Sequence, residues 1–239
     1  LVLGDRYEVL GFSIACHLLR LSLIHIHGGE LSFGSFDESS RHAITKLSNL
    51  HMTSTHIYKK RVIQMGEHPN SVFNVGALAV ENIKKSKNLA VSDISRKLGI
   101  NLRENFFLVT VHPETSTKTD DTENVKTLFK SLKEFSEYDI IWTASGADPN
   151  GEMINNYLTK LKRIFFISNL GDLYYPVLKK AKLVIGNSSS GIIEAPILGK
   201  PTINIGKRQN GRLMCSSIYN CEWREKSISK CVKRILSKK

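Results

Sequence analysis

Short apolar runs alternate with helical patterns along all 239 residues, and this alternation restricts the possible folds more than any other feature. The runs that we interpret as strands are 1–3, 23–27, 50–53, 72–75, 106–111, 140–143, 164–167, 183–185 and 202–205. The helical patterns cover 7–20, 36–47, 57–65, 91–98, 123–135, 153–161, 173–180, 191–198 and 224–236. Such an order predicts an α/β fold, in which helices cover both faces of parallel sheets.

A change of composition after Gly76 divides the chain into two parts. Residues 81–88 are polar and basic, unlike the segments on either side. We therefore predict two Rossmann-like domains, over 1–80 and 85–239. The second has about five strand candidates, as a doubly wound sheet requires. The first has four and begins inside a strand, so we expect it to lack one or more strand–helix steps and to expose an edge and apolar helix surface.

Composition and charge exclude several classes of protein. No apolar run reaches the roughly 18 residues that span a bilayer, so no membrane partner is expected. The four cysteines form no Cys-x-x-Cys pair, and the first residues do not resemble a secretory signal, which favours a cytoplasmic location. The net charge is +12, but the basic residues are scattered over helical patterns without a nucleic-acid motif, so we expect no nucleic acid partner.

Small hydroxylated residues follow the apolar run 183–185. The segment 186–191 reads Gly-Asn-Ser-Ser-Ser-Gly and predicts a strand–turn–helix unit. Backbone N–H groups and the hydroxyls of Ser188 and Ser189 at such a helix start favour a phosphate. Glu194 falls about one turn later, where a carboxylate could accept two ribose hydroxyls. The alternative is a serine N-cap with the glutamate in a capping box.

The first half contains further candidates near predicted strand ends. Asp5 and Arg6 follow the first strand directly, where α/β proteins bind ligands, although an aspartate there could also cap the next helix. His25 and His27 alternate along a strand and share a face, with Glu30 close behind. A metal would fit that geometry loosely, but a third ligand is not evident and we expect no metal.

Four other residues have both a chemical and an ordinary interpretation. Asp37 and Glu38 could be acid–base groups, or simply the acidic residues that favour a first helical turn. His112 follows a strand and could face a ligand, or be a structural histidine. Arg208 could clamp a phosphate through its guanidinium, or lie in solvent on the surface.

These candidates lie in short blocks of sequence that occur in a fixed order along the chain. Each block alone is weak evidence for a protein family, whereas the ordered set is specific. They are Gly4-Asp5-Arg6, His25-Ile26-His27-Gly28-Gly29-Glu30, residues 37–46, Val75-Gly76-Ala77, residues 109–113, residues 186–191, Gly199-Lys200-Pro201 and residues 206–212. Through these blocks the chain resembles the hydrolysing UDP-N-acetylglucosamine 2-epimerases of sialic-acid-type sugar biosynthesis, and the resemblance covers essentially its whole length.

The resemblance implies two Rossmann-like domains of glycosyltransferase-B architecture, the N-terminal one incomplete, with the active site in the cleft. It implies conversion of UDP-N-acetylglucosamine to UDP and N-acetylmannosamine by elimination of UDP and hydration of the glycal. This reaction route requires no metal or redox cofactor. The expected partners are UDP-N-acetylglucosamine, UDP and, for a complete protein, further copies in a homo-oligomer.

The resemblance also implies roles for individual residues. The catalytic set is Asp5, Glu30, Glu38 (in preference to Asp37) and His112. The substrate-binding set is Arg6, His27, Asp37, Arg41, Ser188, Ser189, Glu194 and Arg208. His42 would line the cleft. Relatives often carry a carboxylate at the position of His27, so whether Glu30 or His27 moves the proton stays open.

Two other functions remain possible on the sequence alone. The chain could be a UDP-binding remnant without turnover, or a glycosyltransferase of the same fold. The histidine–glycine–glutamate block 25–30 and the block 37–46 favour an epimerase over a transferase. The family's Gly-rich, basic first loop has no counterpart before Leu1, so we expect these 239 residues alone to be nearly inactive and to self-associate.

Overall fold

The computed structural model describes residues 1–35, 37–114, 121–146 and 150–237. The chain forms two compact units. Unit 1 comprises Leu1–Glu81 with Asn210–Arg212, and unit 2 comprises Asn82–Gln209 with Leu213–Lys239. The short helix α4 (Ala79–Lys85) spans the division between them. The segment 210–212 therefore belongs to unit 1, although the chain before and after it belongs to unit 2.

Unit 1 is a parallel four-stranded sheet whose strands neighbour one another in chain order. Val2, Cys16, Leu23 and Ile44 form its buried apolar cluster. Its elements are β1 (Val2–Leu3), α1 (Tyr7–Leu18), β2 (Ile24–Ile26), α2 (Asp37–Leu47), β3 (Leu50–Thr53), α3 (His56–Gln64), a 3-10 turn (Pro69–Ser71) and β4 (Val72–Asn74).

Unit 2 is a parallel six-stranded sheet in the order β10-β9-β8-β5-β6-β7. Its elements are α5 (Val91–Leu98), β5 (Phe106–Thr110), α6 (Asp121–Leu132), β6 (Asp139–Thr143), α7 (Gly151–Leu158), β7 (Phe165–Ile167), a 3-10 turn (Gly171–Leu173), α8 (Tyr174–Lys180), β8 (Leu183–Gly186), α9 (Ser189–Ile197), β9 (Thr202–Ile205), β10 (Ile218–Cys221) and α10 (Glu225–Leu236). This is the doubly wound Rossmann order, which reverses between β5 and β8.

Two apolar clusters fill the two faces of the unit 2 sheet. One packs α6, α7 and α10 against the strands, around the fully buried Trp142. The other packs α5, α8 and α9 against the opposite face, around Phe106 and Ile141. The strands are apolar on both sides because both faces are covered, which explains why they appear as continuous apolar runs.

All nine predicted strands are present, but the sequence interpretation missed one strand and one α-helix. The edge strand β10 raises the count in unit 2 to six, and none of its four residues is buried. The helix α4 occupies part of the polar stretch 81–88 that was used to place the domain boundary, and Ile83 is its one buried residue. Elements with so few buried residues leave no apolar periodicity to detect.

Helix ends differ from the predicted ones by a few residues. The predicted start of α2 at Phe36 lies outside the described residues. Helix α1 stops at Leu18 instead of Arg20 because a Schellman motif closes it: the N–H of Leu21 donates to the carbonyl of Cys16 at 2.9 Å, and Arg20 adopts a left-handed φ of 57°.

Candidate active site and nucleotide site

Arg41 lies at the centre of a charged cluster in unit 1. Its side chain is 1% exposed. One Nη pairs with the carboxylate of Asp5, and the other donates to the backbone oxygen of Glu30 at 3.1 Å and to Oε2 of Glu38 at 3.2 Å. Asp5 follows β1, Glu30 follows β2, and the other two lie on α2. A buried guanidinium requires such partners, and here it gathers the ends of three segments.

Glu38 is the best-connected carboxylate on α2. Its Oε2 accepts from the backbone N–H and the hydroxyl of Ser32, and its Oε1 lies 3.2 Å from Nε2 of His42. Burial opposes its ionisation, but the hydrogen bonds from His42 and Ser32 outweigh burial and lower its pKa below the ordinary value. Glu38 is therefore an ionised acceptor at neutral pH.

Glu30 is a buried carboxylate with three partners, and its side chain is 4% exposed. Nδ1 of His27 donates to its Oε1 at 2.8 Å, the hydroxyl of Ser54 donates to the same atom at 3.1 Å, and Arg212 pairs with its Oε2. Burial would raise the pKa of Glu30, but the bond from His27 and the charge of Arg212 lower it overall. His27 is thus a neighbour of Glu30 at 2.8 Å, held at a left-handed φ of 65°.

Arg6 and Asp37 make local contacts in the described structure. Arg6 donates twice to Glu8, at 3.2 and 3.1 Å, and this pair is exposed. Asp37 accepts from the hydroxyl of Ser35 at 2.7 Å, in the turn that starts α2. The N-cap residue of α1 is Arg6, which makes no side-chain capping bond, so the alternative role of Asp5 as the helix cap is wrong.

The predicted strand–turn–helix of unit 2 lies at the point where the sheet order reverses. Gly186 ends β8 with a φ of +135°, and a Cβ there would lie 1.9 Å from the carbonyl oxygen of Thr110. Ser188 caps α9 by accepting from the N–H of Ser190 at 3.4 Å. A cavity of about 240 Å³ opens beside this turn. Its lining residues are Thr110, Thr143, Ser168, Asn169, Leu170, Gly171, Tyr174, Ser188 and Ser190.

Asn187 is a fully buried connector that the sequence interpretation did not single out. Its amide binds the backbone of His112 twice, accepting from N–H at 2.7 Å and donating to the carbonyl at 2.8 Å. Its own carbonyl accepts from Gln209 at 2.8 Å and from Arg208 at 3.3 Å. His112 in turn accepts the N–H of Gly146 on Nδ1 at 3.1 Å, so the neutral ring carries its proton on Nε2.

Glu194 does not belong to a capping box, because the third residue of α9 is Gly191. Its Oε1 instead accepts the hydroxyl of Tyr175 at 3.0 Å. Burial raises the pKa of Glu194, and the hydrogen bonds from Tyr175 and Tyr174 offset part of this rise. Burial and the Glu194 carboxylate raise the pKa of Tyr175 to about 12. A hydroxyl donor is thus already seated where ribose hydroxyls were expected.

Four residues join the candidate sites although sequence reasoning gave them no role: Ser32, Ser54, Asn187 and Arg212. The only sequence signal for Asn187 was an amide directly after Gly186, within a run of small polar residues. Among the described residues, no group of three or more His, Cys, Asp or Glu could hold a metal ion. No helix in the described part of the chain is long and apolar enough to cross a membrane.

A doubly wound sheet with a serine-capped helix at its switch point defines an α/β protein with a candidate nucleotide site. A family model described as UDP-N-acetylglucosamine 2-epimerase matches residues 1–239, and the chain belongs to this family. The family that the sequence resembles is thereby confirmed.

Curated relatives carry related names. The chain is 42% identical over 227 residues to a "GDP/UDP-N,N'-diacetylbacillosamine 2-epimerase (hydrolyzing)" of Campylobacter jejuni, covering 92% of this chain and 59% of that protein. It is 40% identical over 223 residues to "Polysialic acid biosynthesis protein P7" of Escherichia coli, covering 91% of this chain and 57% of the relative. The chain thus spans less than two thirds of their length.

Solved structures show the same fold. The UDP-GlcNAc 2-epimerase of Methanocaldococcus jannaschii, in complex with UDP-GlcNAc and UDP, matches all of this chain and 68% of its own with a TM-score of 0.76 at 21% identity. That of Neisseria meningitidis, bound to UDP-GlcNAc, matches 99% of this chain and 67% of its own with a TM-score of 0.76 at 15% identity. The predicted α/β fold of glycosyltransferase-B type is confirmed.

Proposed function

We propose that this chain provides the acid–base groups and the UDP-binding groups of a hydrolysing UDP-N-acetylglucosamine 2-epimerase. The reaction consumes UDP-N-acetylglucosamine and one water and yields UDP and N-acetylmannosamine. A base removes the C2 proton while UDP leaves from C1. Water then adds its oxygen to C1 of the glycal, and a proton returns to C2 on the face that inverts it.

The observation that carries the proposal is the convergence of Asp5 and Glu38 on the buried Arg41. Proton removal and return need positioned carboxylates, and each such group is worth roughly two to four orders of magnitude in rate. Glu30, with its lowered pKa, adds an ionised acceptor beside His27. A module that only binds nucleotide would need no such carboxylates, so the cluster favours an enzyme.

The turn after β8 supports UDP as the leaving group. Ser188 and the start of α9 offer donors to a diphosphate. Glu194 offers a carboxylate to the ribose, replacing the hydroxyl of Tyr175. The Nε2–H of His112, set by the bond from Gly146, is a donor of the kind that stabilises a departing phosphate oxygen.

UDP binding is tested by calorimetry on the chain as it stands, with UDP and pyrophosphate as separate titrants. We expect Glu194→Gln to weaken UDP about tenfold and to leave pyrophosphate unchanged, since only UDP offers ribose hydroxyls. Glu152→Gln, at an exposed glutamate on α7, is the matched control and should bind both as before. Equal losses for both titrants would contradict the ribose role.

Turnover is tested in deuterated water with a protein extended to the length of its relatives. Released N-acetylmannosamine should carry deuterium at C2, because the abstracted proton exchanges before hydration; protium there would exclude this route. Asp5→Asn and Glu38→Gln should each lower turnover by about two to four orders of magnitude. Asp93→Asn, which changes an exposed ion pair with Arg96, is the control and should keep the wild-type rate.

The substrate class is a UDP-linked 2-acetamido sugar. One relative is named for N,N'-diacetylbacillosamine, so the assay compares UDP-N-acetylglucosamine with the corresponding diacetamido sugar. A second candidate is a UDP-binding protein without turnover, which the complete doubly wound sheet of unit 2 favours. UDP binding with neither sugar converted by the extended protein would establish that alternative.

A further inference from the structure

His25 is a fully buried histidine that the proposed reaction does not use. It lies in the middle of β2, between Val2 of β1 and His51 of β3. Its Nε2 lies 2.8 Å from the carbonyl oxygen of Gly4, and its Nδ1 lies 3.0 Å from Oγ1 of Thr45. Both ring nitrogens are therefore engaged, one with the segment that leads into Asp5 and one with α2.

The partners fix the tautomer of this ring. A carbonyl oxygen can only accept, so Nε2 must carry a proton and donate to Gly4. Burial lowers the pKa of His25 to about 4, which keeps the ring neutral. A neutral ring with a proton on Nε2 has a lone pair on Nδ1, so the hydroxyl of Thr45 donates to it. The same hydroxyl lies 3.1 Å from the carbonyl of Arg41, one turn earlier on α2.

These contacts close a ring of interactions. The Asp5 carboxylate pairs with Arg41, Arg41 and Thr45 lie one turn apart on α2, Thr45 donates to His25, and His25 donates to the carbonyl of Gly4, which is covalently joined to Asp5. The N–H of Gly4 is held as well, by the carbonyl of Ile26 at 3.0 Å.

Gly28 leaves space for the contact between the side chains of His25 and Thr45. A Cβ at position 28 would lie 3.1 Å from Nδ1 of His25 and 3.1 Å from Oγ1 of Thr45, crowding the bond between them. The φ of Gly28 is not left-handed, so backbone strain does not require glycine here. The close approach of the two side chains does.

We propose that His25 is a positioning residue, which with Thr45 sets the placement of Asp5 against Arg41. This positioning role rests on the proposed function, because Asp5 matters as an acid–base group only if the epimerase reaction occurs. His25 itself touches no reacting atom. It acts by fixing the backbone that carries Asp5 relative to the helix that carries Arg41 and Glu38.

The first test uses spectra and needs no activity. Nitrogen-15 histidine spectra of this chain at neutral pH should show His25 protonated on Nε2 and bare on Nδ1. Thr45→Val, which removes only the donor, should change the Nδ1 shift and speed the solvent exchange of the Arg41 guanidinium protons. Thr53→Val is the matched control, since it removes another fully buried threonine hydroxyl, one that donates to the backbone of unit 1. It should leave both readouts unchanged.

The second test uses kinetics of the extended protein. Thr45→Val should lower kcat by about a hundredfold, the cost of a small misplacement, and leave KM near its wild-type value. His25→Gln, whose amide can still donate to Gly4, should recover more kcat than His25→Leu. A proton on Nδ1 in the wild type, unchanged Arg41 exchange in Thr45→Val, or equal effects of Thr45→Val and Thr53→Val would overturn the proposal. Absence of wild-type turnover would instead overturn the proposed function, and the spectra would still decide the placement.

Discussion

Mild acid should destabilise unit 1, because this unit buries His25 in its neutral form. The residue has no exposed surface, and burial lowers its pKa from 6.5 to about 4. The bond to the carbonyl of Gly4 favours the protonated ring but does not outweigh burial, and any positive charge on the neighbouring His51, His27 or His42 opposes a proton further. The unfolded chain has no such environment, so there the imidazole titrates near its ordinary value.

The sign and size of the effect follow from proton linkage. As the pH falls through 6.5, the unfolded state binds a proton that the folded state refuses until about pH 4, so the free energy of unfolding decreases. Between about pH 7.5 and about pH 5.5 the expected loss from His25 is about 1.3 kcal/mol. Burial also lowers the pKa of His51, which adds a loss of the same sign. Glu30 and Glu38, with pKa values below 4.5, contribute only at lower pH.

The assay must report on unit 1 alone. Both tryptophans, Trp142 and Trp223, lie in unit 2, so their fluorescence would follow the wrong part of the molecule. Amide hydrogen exchange of β2 and β3, corrected for the intrinsic pH dependence of exchange, measures the opening free energy of the unit 1 sheet directly.

Two variants isolate the contribution of His25. His25→Gln should flatten the pH dependence by about 1.3 kcal/mol, whatever its effect at neutral pH. His56→Gln removes an exposed histidine at the start of α3 and should keep the wild-type slope. If β2 and β3 are equally protected at both pH values, or if the slope persists in His25→Gln, the burial argument is wrong.

Two shorter predictions concern the turn after β8. Gly186→Ala should cost about 3 kcal/mol or more by urea unfolding followed through tryptophan fluorescence, because its Cβ would clash with Thr110; Gly99→Ala, with a φ of +66° but open space around it, should cost only about 1–2 kcal/mol. Asn187→Ala should weaken UDP about tenfold in calorimetry by releasing the backbone of His112, and unchanged affinity would remove Asn187 from the site.

The sequence revealed the elements that bury apolar faces and missed those that do not. Strands of unit 2 lie between two helix layers, so their apolar runs are continuous. The edge strand β10 and the helix α4 bury almost nothing, and their patterns gave no signal. The end of α1 is set by the left-handed conformation of Arg20. Glycine usually occupies this position at a helix end, so an arginine there could not be predicted to end the helix.

The candidate site was less readable, because its contacts join residues far apart in the chain. Asp5, Glu30 and Glu38 could be named as carboxylates near predicted strand and helix ends, but not as partners of one arginine. Asn187 was hidden among small polar residues, although a buried amide in a tight turn has to bind backbone groups.

Arg212 is the clearest case of a partner that only the fold reveals, and its removal should change the contribution of Glu30 to the pH dependence of unit 1. Its side chain is 10% exposed and pairs with Glu30, 182 residues away in sequence. Arg212→Met would leave a buried carboxylate without its cation, which costs about 3–5 kcal/mol. Loss of the Arg212 charge should raise the pKa of Glu30 relative to the wild type, while the bonds from His27 and Ser54 still favour its charged form. The folded variant would take up this proton at a higher pH than the folded wild type, so Glu30 should cost the variant less stability on acidification.

The control and the rescue both come from the same chain. Arg208→Met alters the same loop but a contact to Asn187 in unit 2, and should leave exchange in unit 1 unchanged. Glu30→Gln added to Arg212→Met should restore most of the lost stability, because the buried charge is then gone. Additive losses in this double-mutant cycle would mean that the two side chains do not form a coupled pair, and Glu30 would then need another source for its ionised state.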